Sequence, residues 1–361
     1  MSTTRFNSDD PDLDLLYSDI AQADLQPLWT QHGLLPKTPP LRMRPWLWRA
    51  KTLRHLAERA GALVGIDRGG DRRVLALAHP DLDGRPFASN TLWGALQYLG
   101  PGELAPAHRH TPGALRFVLE GHGAWTLVDA DPLRMEPGDL LLTPNMTWHE
   151  HHNDGEAPVV WFDGLDLPLA HTLDAVFFEP GPDTMTDHPA DAVSAAERRY
   201  SRGGLLPVGE RPPGAHSPLT VYRWADTDAA LTAMLADAAE DAAGTAIRFS
   251  DPTTGRDIMP TLRAEMHRLR PDRRSATTRT VGSSIWVVYQ GSGVSVVDGI
   301  QISWSAGDAF VVPSWAAVDH QATEASDLFM MSDAPVLEAL SLARTATEPE
   351  HQNVTSTFTG D

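Results

Sequence analysis

The sequence predicts an all-β-dominated protein of two barrels related by internal duplication, with a helical segment at its N-terminal side. Three observations carry this. Short apolar, β-rich runs at 72–78, 91–98, 115–120, 124–129, 139–143 and 158–163 follow one another closely, as strands of a sandwich or barrel do. A second β-rich block spans about 258–332, beyond a proline-rich stretch. The turns recur: Gly121-His122-Gly123, Pro137-Gly138-Asp139 and Pro144 are answered by Gly291-Ser292-Gly293, Ala306-Gly307-Asp308 and Pro313, 169 or 170 residues on. One Gly-Asp turn is common in any β protein, but three at constant separation mark a repeat.

The elements follow in order. Residues 1–20 carry five aspartates against Arg5 and read as a solvated start. Pro36, Pro39, Pro40 and Pro45 exclude a long helix before residue 46. Leu47, Ala50, Leu53, Leu56, Ala57 and Ala60 then have helical spacing, with Gly61 as a stop, so a helix is expected over 46–60. Asp226 is the expected cap of a second helix, which ends before Gly244. The expected organisation is a helical arm at 1–85, a first barrel with a metal site at 86–180, a proline-rich linker at 181–225, a helix plus metal-free barrel at 226–335, and a tail at 336–361, loose from Thr345.

Composition narrows the function. The chain has 361 residues, no Cys, 15 His and a net charge of −19. Disulfides, thiol nucleophiles and thiolate-held metals are excluded, so a metal must sit on His or carboxylate. The acidic balance argues against nucleic acid, whose phosphates need clustered Lys and Arg. The polar amino terminus has no apolar signal core and no run approaches a membrane span. A cytoplasmic protein with no membrane partner is expected.

Six of the 15 His fall between 108 and 152. In extended chain, residues two apart share a face, so His108 and His110 can meet one ion, and His149 and His151 repeat that geometry. Neutral imidazoles suit Zn, Fe, Cu or Ni. His122, His152 and His171 read as non-ligands. Arg116 has the strand parity of His108 and His110. Trp93, Ala95 and Gln97 share one strand face and are expected to line the pocket.

Gly102, His108 and His110, followed by Gly138, Pro144, His149 and Asn153, resemble the paired cupin motifs, which belong to jelly-roll barrels. The Glu ligand of many cupins is missing: Ala114 and Leu115 stand there. The strings Pro106–Thr111, Ala114–Phe117 and Trp148–His151, with Arg72–Leu75, Trp93–Gln97 and Asp163–Pro168, are similar to the gentisate 1,2-dioxygenase family, which includes salicylate and 1-hydroxy-2-naphthoate dioxygenases. The resemblance implies a bicupin holding one Fe(II) per chain on His108, His110 and His149. It implies extradiol-type cleavage of gentisate by O2 between the carboxyl- and hydroxyl-bearing carbons, giving maleylpyruvate, in a homotetramer. His151 is the implied acid or base beside the metal, and Arg116 is the best partner for the carboxylate of such a substrate. Arg68, Arg72 and Arg73 are implied to close over the substrate, and Asp163 to bond a 5-hydroxyl. Salicylate, substituted salicylates and 1-hydroxy-2-naphthoate are alternative substrates. A non-oxidative metal cupin and a non-catalytic ligand-binding bicupin are the alternatives from other classes. In the second copy Thr278, Thr280 and Val318 replace His108, His110 and His149, and His320 stands for His151, so that barrel is expected to hold no metal.

Overall fold

The structure is a computed structural model that describes residues 10–31, 33–65, 73–182, 185, 193–209 and 214–360. Arg68 and Arg72 lie outside the described residues. The chain divides into two compact units, residues 1–40 and 41–361. The first contains helix α1 (Pro11–Gln22), whose Asp10 cap accepts the Asp12 N–H at 3.0 Å.

The second unit begins with strand β1 (Trp46–Trp48) and helix α2 (Ala50–Leu63), followed by β2 (Val74–Ala76). The first barrel continues through β3 (Trp93–Leu99), β4 (Leu104–His110), β5 (Ala114–Glu120), β6 (Ala124–Val128), β7 (Asp131–Arg134), β8 (Leu140–Thr143), β9 (His149–Asn153) and β10 (Val159–Leu165). Helix α3 (Leu167–Thr172), β11 (Phe178–Pro180), α4 (Ala195–Tyr200), β12 (Val221–Tyr222) and α5 (Trp224–Asp237) lead to the second barrel. That barrel comprises β13 (Gly244–Arg248), β14 (Arg263–Leu269), β15 (Thr278–Thr280), β16 (Ser284–Gln290), β17 (Ser292–Val297), β18 (Ile300–Ser305), β19 (Ala309–Val312), β20 (Ala317–Ala322) and β21 (Ser326–Ser332). Helix α6 (Ala334–Ala339), β22 (Thr345–Thr347) and β23 (Ser356–Thr357) end it.

Each barrel pairs an inner sheet with an outer one. The inner sheets run β12-β8-β5-β10-β3-β2 and β1-β19-β16-β21-β14-β13, and the outer sheets β11-β4-β9-β6-β7 and β22-β15-β20-β17-β18-β23. The inner sheets pack on each other through Leu115, Phe117 and Phe162 of the first barrel and Ile285, Val287 and Phe329 of the second. Phe117 stacks on Phe329 at 4.4 Å with 6° between the rings. Burying each such ring contributes about 2 kcal/mol. Strands covered on both faces are apolar almost throughout, as in Ser284-Ile285-Trp286-Val287-Val288. In that context Arg116 and Asp163 stand out.

The two halves exchange their arms. Strand β1 joins β19 of the second barrel, while β12 joins β8 of the first. The helices that follow are pinned alike. Asp308 accepts the Ala50 N–H at 2.7 Å and an Arg49 guanidinium N–H at 3.1 Å. Asp139 accepts the Trp224 N–H at 2.8 Å and an Arg223 N–H at 2.6 Å. Each helix therefore takes its N-terminal acceptor from the other half's Gly-Asp turn. Gly138 allows the approach, since a Cβ there would lie 2.6 Å from the Trp224 ring.

Several expectations are corrected. The helix expected over 46–60 is strand β1 and then α2, because Leu47 inserts into the second barrel's core while Trp46 and Trp48 face the other way. Gly61 does not stop α2; it sits under Tyr98, whose ring is 2.6 Å from where a Cβ would be. Asp226 lies in the first turn of α5 rather than capping it. The residues from Thr345 are not loose: β22 pairs with β15 and β23 with β18. No described helix is long and apolar enough to cross a membrane.

Candidate metal centre

Strand β4 reads Leu-Ala-Pro-Ala-His-Arg-His, and pleating sends His108 and His110 to the barrel interior. Arg109 faces outward, where it pairs with Glu179 at 2.6 Å and lies over Trp148. Strand β9 runs antiparallel with His149 directly opposite His108. The ring centroids of His108 and His149 are 4.2 Å apart, and those of His110 and His149 4.9 Å. One nitrogen from each of the three lies within 4.8 Å of the others, and no other such group occurs among the described residues.

The orientation suits a metal. Nδ1 of His108, His110 and His149 lies 2.9, 2.8 and 3.0 Å from the carbonyls of Pro106, Pro112 and Thr147. A carbonyl only accepts, so each Nδ1 carries the proton and each Nε2 keeps a lone pair. Nε2 of His149 is buried with no hydrogen-bond partner. An orphaned lone pair inside a barrel is costly unless a cation takes it. Burial holds His110 down to about 4 and His149 well below the ordinary imidazole value, with the Arg116 charge adding to both. His110 and His149 are therefore neutral at pH 7, the form that binds a metal.

His151 stands one pleat along the inner face of β9, with Nδ1 2.8 Å from the Thr126 hydroxyl. It is buried, neutral, and outside the three-histidine group. His122 pairs with Glu136, and His152 stacks on Trp125.

Across the barrel, Arg116 and Asp163 are directly paired on β5 and β10, 3.2 Å apart, and both are nearly sealed. Arg116 also donates to the Thr143 hydroxyl. Burial pushes the Asp163 carboxyl up to about 6, opposed by Arg116. The neighbouring strand β3 sets Ala95 opposite Asp163, Gln97 opposite Trp161 and Trp93 opposite Leu165. Trp93, Ala95 and Gln97 therefore share the interior face, with Trp93 also packed on Met43, Leu82 and Phe87. Arg73 is a correction. Its guanidinium bonds Glu103 and, at 3.0 Å, the Gly61 carbonyl of α2, outside the barrel. Opposite Tyr98, its side chain has the wrong strand parity to reach the histidines.

Sequence reasoning missed Phe178, which β11 brings over His108 with ring centroids 5.3 Å apart. It lies at the edge of the proline-rich stretch, and only the fold connects it to β4.

The second barrel keeps the geometry without the chemistry. Thr278 is paired with Val318 as His108 is with His149. Trp286 and Met330 hold the cross-strand places of Arg116 and Asp163. The Trp286 indole fills the interior, 4.5 Å from His320 and 4.7 Å from His267.

Comparison with known proteins agrees with this geometry. A cupin domain matches residues 95–165. The chain is 50% identical to a gentisate 1,2-dioxygenase from a Streptomyces species, over 92% of this chain and 95% of the relative. It is 36% identical to a 5-aminosalicylate 1,2-dioxygenase from a Comamonas species, over 96% and 94%. The crystal structure of salicylate 1,2-dioxygenase from Pseudoaminobacter salicylatoxidans, an adduct with gentisate, superposes with a TM-score of 0.90 at 44% identity, covering 97% of this chain and 98% of the other.

Proposed function

This chain belongs to the gentisate 1,2-dioxygenase family of bicupin ring-cleaving dioxygenases, and from that premise we propose that it cleaves gentisate with O2 to maleylpyruvate, using one Fe(II) on His108, His110 and His149. The observation that carries the reading is the set of three imidazoles with Nδ1 committed to backbone carbonyls, facing a buried arginine across the barrel. Supporting the substrate, the relative that is 50% identical is named for gentisate, and the superposed crystal structure contains it. In the balanced reaction the bond between the carboxyl- and hydroxyl-bearing ring carbons breaks, and both atoms of O2 enter the product.

The iron, when bound, supplies a Lewis acid and an electron path between the aromatic ring and O2. The chain's own residues do the rest. Arg116, desolvated beside Asp163, offers the substrate carboxylate a charge-assisted partner in a medium where such a bond is strong. Asp163 keeps that guanidinium charged and oriented, and can accept from a ring hydroxyl. Ala95, Gln97 and Trp93 bound the ring, and His151, neutral with Nδ1 on Thr126, can hold a proton at Nε2 beside the metal set. Burial of Arg116, His149, His151 and Asp163 keeps water away from the inner end of the site.

Anaerobic reconstitution with Fe(II), then gentisate and air, is expected to give O2 uptake and the enedione absorbance of the product. A panel of salicylate, substituted salicylates and 1-hydroxy-2-naphthoate ranks the alternatives. No O2 uptake with any 2-hydroxybenzoate overturns the reading.

A further inference from the structure

We propose that Asp166 is a positioning residue for the metal ligand His110, acting through the Pro112–Gly113 peptide under the hold of Thr261 from the other barrel. The carbonyl of Pro112 and the N–H of Gly113 belong to one planar peptide unit. The carbonyl end accepts the His110 Nδ1 proton at 2.8 Å. The N–H end donates to Asp166 Oδ1 at 2.9 Å, a buried contact. A carboxylate on the N–H polarises the carbonyl at the other end, making it a stronger acceptor and the imidazole a better donor to metal. The other carboxylate oxygen of Asp166 accepts from the Thr261 hydroxyl, at the entry to β14. The second barrel, lacking the ligand triad, thus reaches the metal set through one hydroxyl, one carboxylate and one peptide.

Duplication supplies a control within the same molecule. Asp333 occupies the matching place in the second barrel, accepting the Ser283 N–H at 3.0 Å and the Thr91 hydroxyl at 2.5 Å. The two contacts cross between barrels reciprocally. There, however, the ligand position is Thr280, and no imidazole among the described residues uses the carbonyl of the Gly282–Ser283 peptide. A purely structural clamp needs both aspartates alike; a positioning role needs only Asp166.

The inference rests on the metal assignment above, and the test separates the two. Apo-protein is titrated with Co(II) as probe, and melting temperature is recorded alongside. Parent protein is expected to bind one Co(II), and His110→Ala to lose it; retained binding in His110→Ala would overturn the metal assignment itself. Asp166→Ala is expected to weaken Co(II) binding about tenfold, at the low end for loss of a ligand's supporting partner. Thr261→Val is expected to weaken it about threefold, and Thr261→Ser to restore it. Asp333→Ala and Thr91→Val are expected to lower the melting temperature to a similar extent while leaving Co(II) affinity within about twofold of parent. Should Asp166→Ala fail to fold, the Thr261 pair decides. Unchanged affinity in Asp166→Ala or Thr261→Val, or an equal loss in the Asp333 and Thr91 variants, overturns the inference.

Discussion

Thr278 faces Val318 across two strands of the second barrel, in the register that sets His108 against His149 in the first. The backbone of a metal site is therefore present twice, and its ligands once. Elemental analysis is expected to give about one tightly held metal per chain. His149→Ala is expected to lower this towards zero, and two metals per chain would refute the assignment. Installing three histidines at 278, 280 and 318 is expected to create no second tight site, because the Trp286 indole occupies the interior.

The Trp286–Met330 pair also predicts how the first barrel tolerates change. Removing one partner of a buried ion pair leaves an uncompensated charge, at a cost of about 3–5 kcal/mol. Asp163→Met alone is expected to fall in that range by denaturant unfolding, since Arg116 is sealed. The double variant Arg116→Trp/Asp163→Met transplants the second barrel's apolar pair and is expected to recover most of that loss, as replacement of a buried ion pair by apolar groups is often neutral or better. Its gentisate-dependent O2 uptake is expected to fall at least a hundredfold. Activity near parent in the double variant would remove Arg116 from the reaction.

Asp333 predicts a pH dependence of stability. Burial pushes its carboxyl from 3.8 up to about 6, against the Thr91 hydroxyl and backbone N–H groups that hold it down. The folded chain therefore binds this proton more tightly than the unfolded chain. The stability so gained is full below about pH 4 and is lost as pH rises through about 6. Asp333→Asn cannot titrate there. Relative to parent, the variant is expected to gain up to about 3 kcal/mol between about pH 4 and pH 7.5. Denaturant midpoints at both pH values measure this, and a difference independent of pH would refute it.

The exchanged arms predict complementation. Residues 1–185 carry the first barrel and the arm of the second; residues 193–361 carry the converse. Neither fragment is expected to be soluble alone, whereas co-expressed fragments are expected to co-purify and cleave gentisate. A soluble, folded first fragment would refute the arms' contribution.

Much of this was legible in the sequence. The duplication showed as a constant separation of turns, because Gly and Asp at those positions answer local backbone demands. Strand period paired His108 with His110 and His149 with His151, and the resemblance to the cupin motifs selected the three ligands among them. Strand β4 itself did not, since Leu-Ala-Pro-Ala has little β character and pairing with β9 holds it. Leu47 reads as helical until the second barrel's core is seen to receive it. Arg73 looked available for substrate because nothing local reveals Glu103, 30 residues away. Nor does local sequence reveal that Asp139 and Asp308 serve helices in the opposite half, or that Thr261 reaches Asp166.

Because each inner sheet is finished by a strand from the other half and both pack on a shared apolar face, neither barrel is expected to have a melting transition of its own. Calorimetry should register a single endotherm with matching calorimetric and van't Hoff enthalpies. Cooperativity of this kind gives the copy without the histidine triad its own reason to persist. Without those ligands, it is still expected to be held by selection on foldability, since a lesion that loosens it would loosen the first barrel too.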